Sequence, residues 1–357
     1  MVKFVNLFLF HSIFRSSIFI SSWKIRHHLS DGDSGSVRKW VKNTKFLSKN
    51  RLTYFLEHFI TLVEFVEWLS LLSKFDPWRS SLCTCPPKLT FNPYSGCDHR
   101  CVYCYASSYI PRFFDCRPKK DLVPRLKREA KKLKGQVISM ANSSDPYPLL
   151  EAKTGLTRQC LSVLSKYPCQ IQVVTKSNIV ARDVDLLSKI PSSVALTITT
   201  QDSAVAKKIE PFAPMPNERL KTVEKLTGHG ISVSARIDPI IPFVNDNPKD
   251  LIKTLAGLGV KHVTSSTYKI KKDNWRRFSE AMPKIAEKLK PLYFERGVKV
   301  SGYTLLPKEL RYKLLKNIRG LAKKNGMKFG VCREAFSQLN TGSCDGSWLL
   351  FDRTRGP

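Results

Sequence analysis

Three cysteines, Cys97, Cys101 and Cys104, stand at offsets of four and three residues inside the stretch Asn92-Pro93-Tyr94-Ser95-Gly96-Cys97-Asp98-His99-Arg100-Cys101-Val102-Tyr103-Cys104-Tyr105-Ala106. Thiolates at that spacing can wrap a short loop around three corners of a 4Fe-4S cubane and leave the fourth iron without a protein ligand. Such an open iron can take the amino and carboxylate groups of S-adenosylmethionine (SAM). One electron passed from the cluster then cleaves a carbon-sulfur bond and yields a 5'-deoxyadenosyl radical. Two other readings stay open at this point, a zinc ion and an electron-transfer cluster, both of which normally require a fourth ligand. His99 lies inside the loop and is able to serve zinc, although beside Arg100 a solvated side chain is the more natural expectation. Gly96 suits a tight turn before the first ligand. Tyr103 offers an aromatic face to an adenine and Tyr105 another toward a substrate, and either also suits a core position.

A loop of this kind needs a rigid support. From Pro77 onward, short β-branched runs alternate with charged helical patterns, which predicts repeated βα units around a parallel sheet. Six strands are expected, at Leu89–Asn92, Gln136–Ala141, Gln170–Thr175, Val194–Thr200, Ile231–Asp238 and Lys261–Ser266. Helical patterns lie between them at Leu122–Leu133, Asp183–Lys189, Glu218–Leu226 and Trp275–Leu289. The short spacing predicts an α/β fold, a closed or partly closed βα barrel, with chemistry on the loops after the strands.

The chain has 357 residues, enough for a full core, and carries 60 Lys and Arg against 29 Asp and Glu, a net charge of +31. Residues 1–75 hold 11 basic and 5 acidic side chains, so most of the excess lies in the part that carries the cysteine loop. A generally basic solvated surface is one reading. A polyanionic partner, nucleic acid first, is the favoured one, because ion-pair networks bring matching Glu rather than surplus Lys. Basic runs at Arg117-Pro118-Lys119-Lys120, Arg125–Lys134 and Lys269–Lys272 with Trp275-Arg276-Arg277 are placed to contact a nucleic-acid backbone and stack on bases.

Ten cysteines in a chain this long are too sparse for a small disulfide scaffold, so metal binding in a reducing, cytoplasmic compartment is expected. The apolar run Phe4–Ile20 is interrupted by His11 and Arg15 and lacks a small-residue cleavage site, which argues against a signal peptide. Leu52–Leu72 reads as a docking helix with a polar stripe at Thr53, Glu57, Thr61, Glu64 and Glu67, and its three glutamates disfavour a membrane span. Residues 1–76 are expected to form an extension, poorly ordered or helical, with a later start such as Val37 as an alternative origin. Residues 77–305 then form the barrel, and 306–357 a C-terminal segment with Cys332 and Cys344.

The cysteine loop, with Tyr103 between its second and third cysteines, resembles the motif of the radical SAM superfamily. The wider pattern is similar to the spore photoproduct lyase-related "DNA repair photolyase" family in its archaeal-type form. Matching stretches are Ser143-Ser144-Asp145-Pro146-Tyr147, Leu156–Leu161, Val174-Thr175-Lys176-Ser177, Asp238-Pro239-Ile240-Ile241-Pro242, His262–Thr267 and Ser343-Cys344-Asp345-Gly346-Ser347, so the likeness runs from about Pro77 to the end. It implies a partial (β/α)6 barrel and a lyase-like or modifying radical enzyme served by an electron donor such as ferredoxin or flavodoxin. It also implies that Cys97, Cys101 and Cys104 ligate the cluster and that Tyr103 contacts SAM, with Ser144, Asp145, Lys176 and Arg236 holding its polar groups. Lys suits a carboxylate and Asp an ammonium, while Asp145 before Pro146 equally suits a turn. One departure limits the likeness. Spore photoproduct lyase places a hydrogen-donating cysteine near the end of the second strand, where this chain has Met140-Ala141-Asn142-Ser143, so thymine-dimer reversal by that route is not carried over.

Cys83 and Cys85 precede the first strand, and Cys332 and Cys344 lie near the end. Chain ends often meet, so the four are expected either to converge on a second metal site or to be unrelated thiols. Cys116, among Arg and Lys, is expected to have a lowered pKa.

Overall fold

The computed structural model describes residues 70–75, 82–140 and 143–351. Residues 1–69 of the expected N-terminal extension, and with them the helix Leu52–Leu72 apart from its last three residues, lie outside the described residues. Among the latter, no helix is long and apolar enough to cross a membrane.

Among the described residues, eight strands form one sheet: β1 Ser73–Lys74, β2 Leu89–Phe91, β3 Gln136–Met140, β4 Cys169–Thr175, β5 Ser192–Thr197, β6 Ser232–Ile240, β7 His262–Thr267 and β8 Lys328–Val331. Their spatial order is their chain order. β1 pairs antiparallel with β2, and β2 through β8 run parallel, with registers such as Leu89 beside Ile138 and Val194 beside Val233. Parallel strands need a crossover between neighbours, which the helices supply. The sheet stays open, with β1 at one edge and β8 at the other, giving the incomplete α/β barrel that the likeness implies. Residues of β5 and β7 are buried throughout, as strands covered on both faces must be.

Helix α1, Leu122–Ala130, buries Leu122, Leu126 and Ala130 at fourfold spacing, so one stripe faces the core beside Leu161 and Leu164 of α2, Leu156–Leu164. α3 spans Val184–Leu187. α4, Ser203–Ile209, starts where Asp202 accepts hydrogen bonds from the Ala204 and Val205 amides at 2.8 and 3.0 Å. α5, Pro216–Gly228, starts on a proline, and Glu218 reaches back to the Met215 amide at 2.7 Å. α6 covers Lys249–Gly257. The single helix expected over Trp275–Leu289 is instead two, α7 Lys272–Ala281 and α8 Pro283–Phe294, because Pro283 lacks the amide that would continue the first. α9, Lys308–Lys324, leads into β8, which sequence patterning did not anticipate.

The C-terminal segment then crosses one face of the sheet. Gln172 of β4 donates to the Asp345 carbonyl at 2.8 Å and Thr264 of β7 to the Cys344 carbonyl at 3.2 Å. Gly346, at φ +77°, has room only for hydrogen, since a Cβ would sit 3.0 Å from both Ser234 and His262. Buried Asp345 is ion-paired with Lys88, which ties this segment to the stretch preceding β2.

Candidate active site

The cysteine loop leaves the end of β2 as a closed excursion. Tyr94 and Ser95 pair antiparallel with Pro118 and Arg117, and the Cys97 amide donates to the Phe113 carbonyl at 2.8 Å. Gly96 carries φ +81°, and a Cβ there would lie 2.3 Å from the Phe113 oxygen, so only glycine fits. Two further elements hold the loop from behind. The Val102 amide donates to the Ile209 carbonyl at 2.9 Å, and Asn274 and Arg277 of α7 donate to the Tyr103 and Cys104 carbonyls at 3.0 and 2.8 Å.

All the residues singled out from the sequence line one cavity of about 240 Å³ at the C-terminal ends of the parallel strands: the three cysteines, Tyr103, Ser144, Asp145, Lys176 and Arg236. Burial pushes the Cys97 thiol well above its usual range, Cys101 up to about 12, and Cys104 upward. Thiols so placed hold their protons unless a cation claims them, and iron is such a cation. Among the described residues, no three His, Cys, Asp or Glu side chains are spaced for a single metal ion. A cubane makes no such demand, since each thiolate binds a different iron. The donor set therefore fits a cluster rather than zinc.

Burial works against the Lys176 ammonium, yet Cys101 and Glu210 outweigh it and raise its pKa, so it carries charge at neutral pH. Its Nζ sits 5.5 Å from the Tyr103 ring centroid. The Tyr103 hydroxyl donates to Glu210, which accepts a further bond from Thr199 at 3.0 Å and pairs with the buried Arg219 at 2.6 Å. Asp145 is fully engaged by protein: Oδ1 accepts from the Tyr147 amide and the Thr175 hydroxyl, and Oδ2 from the Lys176 amide at 2.8 Å. It fastens the loop after β3 to the end of β4. Ser144 likewise donates to the Tyr94 carbonyl at 2.8 Å.

Arg236, midway along β6, is ion-paired with Asp238, which also accepts from Ser266 at 2.6 Å, and hydrogen-bonds Cys332. Beyond it, Glu334 gathers Lys269 at 2.7 Å and Arg311 at 2.6 Å. Tyr303 and Tyr105 meet edge to face, with centroids 5.6 Å apart, and Lys271 lies 4.4 Å over the Tyr303 ring.

Several groups escaped sequence reasoning. Glu210 and Arg219 sit in no motif, and only the nearness of α4 and α5 joins them. His99 is 1% exposed rather than solvated; its Nδ1 is 3.5 Å from Asp145, and neither ring nitrogen has a hydrogen-bond partner among the described residues. Burial lowers its pKa, so the ring is neutral. Cys116 departs from expectation too, since burial raises its thiol to about 12. Of the four cysteines expected to converge or to be unrelated, Cys83, Cys85 and Cys344 approach one another, with Cys85 and Cys344 sulfurs 3.2 Å apart, and Cys332 is near enough to act on Cys85 electrostatically, though among the described residues they are not at metal-ion spacing.

Residues 91–256 match the sequence profile of the radical SAM superfamily. The match takes in the cysteine loop and the strands from β3 to β6. That superfamily is one of enzymes that use SAM and an iron-sulfur cluster. An uncharacterised protein of Methanocaldococcus jannaschii is 34% identical over 166 residues, which make up 44% of this chain and 62% of that one. An uncharacterised protein of Acidianus two-tailed virus is 31% identical over 192 residues, 47% of this chain and 63% of that one. The chain thus spans less than two thirds of the length of these relatives. Spore photoproduct lyase complexed with a dinucleoside spore photoproduct shares the fold with a TM-score of 0.56 at 16% identity, covering 73% of this chain and 78% of that one. A variant of that lyase with bound SAM and the same dinucleoside aligns with a TM-score of 0.54 at 15% identity over 72% and 79%.

Proposed function

We propose that this protein is a radical SAM enzyme, that it holds a 4Fe-4S cluster on Cys97, Cys101 and Cys104, and that it acts on nucleic acid, modifying or repairing a base or sugar. The observation that carries the proposal is the convergence of the three buried thiols, Tyr103, Lys176 and Arg236 on one cavity at the C-terminal ends of the strands. With the cluster and SAM bound, the chemistry supplied is one-electron cleavage of SAM to a 5'-deoxyadenosyl radical.

The chain's own residues prepare that chemistry. Gly96 and the Phe113 carbonyl set the loop so that the thiols face the cavity. Lys176 is the charged group suited to the SAM carboxylate, and the Tyr103 ring beneath it offers a face to the adenine. Asp145 and Ser144 spend their oxygens on the surrounding backbone, so their part is to position Lys176 and the loop. Arg236, steadied by Asp238, supplies a second cation on the far wall.

Nucleic acid as substrate rests on the +31 charge and on the aromatic and basic groups Tyr105, Tyr303, Lys271 and Lys269 at the cavity. The dinucleoside held by the lyase of like fold agrees with it. A small electron-transfer protein of the ferredoxin or flavodoxin class would supply the electron. Anaerobic reconstitution with iron and sulfide should give a brown protein with roughly four irons per chain. Its binding to single-stranded RNA or DNA should weaken by orders of magnitude between 50 and 200 mM salt, on the order of 10³-fold for six or more phosphate contacts. A colourless zinc protein would contradict the cluster, and absence of binding at low salt would contradict the substrate class.

A further inference from the structure

Outside the cavity, the described residues bring three cysteines together where the stretch preceding β2 meets the C-terminal segment. Cys85 and Cys344 are 259 positions apart in sequence, yet the Cys344 thiol donates to the Cys85 sulfur at 3.2 Å. Cys83 is hydrogen-bonded to Cys85 from the other side. Two residues beside this pair, Lys88 and Asp345 form the buried ion pair already described, so the segments are docked at two adjacent points. Cys344 has little freedom: its carbonyl accepts from Thr264, and a Cβ on Gly330 of β8 would lie 2.5 Å from that oxygen. Cys83 and Cys85 are half-buried, whereas Cys344 is 3% exposed.

The spacing discriminates between chemistries. Thiolates sharing a tetrahedral zinc at about 2.3 Å sit about 3.8 Å apart, wider than this pair. A disulfide needs about 2.05 Å, a closure of little more than 1 Å. No third donor completes a metal-ion site among the described residues.

We propose that Cys85 and Cys344 are a redox-active dithiol that closes to a disulfide and latches the C-terminal segment to the stretch before β2. The oxidant is a low-molecular-weight disulfide, RSSR. Cys85, half-buried and so within reach of RSSR, gives up its proton and attacks one of the RSSR sulfurs, breaking the S–S bond, releasing RS⁻ and forming a mixed disulfide. Cys344, already in contact, attacks the Cys85 sulfur and releases a second RS⁻. The two protein protons leave with the products as 2 RSH, the protein loses two electrons, and RSSR gains them. Cys83 is the neighbouring thiol able to reopen the bond by exchange. This latch does not depend on the function proposed above, because no cavity residue takes part.

The test is disulfide mapping of the full chain. The protein is incubated anaerobically with oxidised glutathione, blocked with N-ethylmaleimide, digested without reductant and analysed by mass spectrometry. A peptide joining Cys85 to Cys344 is expected in the wild type and in Cys83→Ser and Cys332→Ser. The oxidised wild type should also melt higher by on the order of 5 °C, a rise absent in Cys85→Ser. Recovery of Cys85 only as a glutathione adduct, or of both thiols as maleimide adducts, overturns the proposal. So does one zinc per chain in the untreated protein that is lost in Cys85→Ser.

Discussion

The Tyr103 hydroxyl donates to Glu210, and Arg219 holds that carboxylate from its other oxygen at 2.6 Å. The aromatic residue of the cysteine loop is thus anchored to a fully buried ion pair between Glu210, at the end of α4, and Arg219, in the first turn of α5.

Breaking the pair from one side leaves a buried charge alone. Glu210→Ala should lower the free energy of unfolding by about 3–5 kcal/mol, and Glu210→Gln, which keeps a partner for Tyr103, by less. Denaturant titration of the cluster-free chain measures both. Equal, small losses would mean that the pair does not hold the loop.

Gly96 tests the loop's backbone. Gly96→Ala places a methyl 2.3 Å from the Phe113 oxygen at a positive φ, so the turn must open. Iron bound per chain after reconstitution should fall by more than half, with far-ultraviolet circular dichroism nearly unchanged. Full iron loading would show that the thiols do not depend on this turn.

Lys176 tests the SAM contact separately from the cluster. Lys176→Met should retain the iron and bind SAM at least tenfold more weakly, about 1.4 kcal/mol for one charged contact. Equilibrium dialysis with SAM measures this. Unchanged affinity would assign the carboxylate to another group.

Acid stability has two components with the same sign. His262 is buried, and its Nδ1 accepts from the Trp348 indole at 3.1 Å, which fixes a neutral ring; burial pushes its pKa from 6.5 down to about 3. The unfolded chain then binds the proton more readily, so stability is complete above about pH 6.5 and falls as pH drops toward 3. Burial alone would raise the Asp345 pKa, but Lys88 holds it down from 3.8 to about 2. That group's contribution, about 2 kcal/mol, is present above pH 3.8 and is lost as pH falls toward 2. Urea midpoints of the wild type should therefore decline from pH 6.5 to 4, while His262→Gln, though less stable at pH 7, should show a flatter profile there. Parallel profiles would contradict the assignment.

Six of the seven parallel strands were legible because runs such as Val137-Ile138 and Val173-Val174 in a basic chain have nowhere to go but a buried sheet. β8 was not, since Lys-Phe-Gly-Val is short and its glycine makes room for the Cys344 carbonyl, a tertiary fact. The cysteine loop was legible because its spacing is local. Glu210 with Arg219, and the burial of His99, were not, because each depends on what a distant segment brings against it. Asp145 shows the middle case: the motif located it, and only the structure showed its oxygens engaged by Thr175 and the Lys176 amide.

The central claim is tested most directly by SAM cleavage. The reconstituted, reduced wild type should produce 5'-deoxyadenosine from SAM under anaerobic conditions. Cys101→Ala, tested alongside, should reduce the yield at least about 100-fold, as expected when a ligand of the reacting cluster is lost. Equal yields from the two proteins would contradict the assignment of Cys97, Cys101 and Cys104 as the cluster ligands.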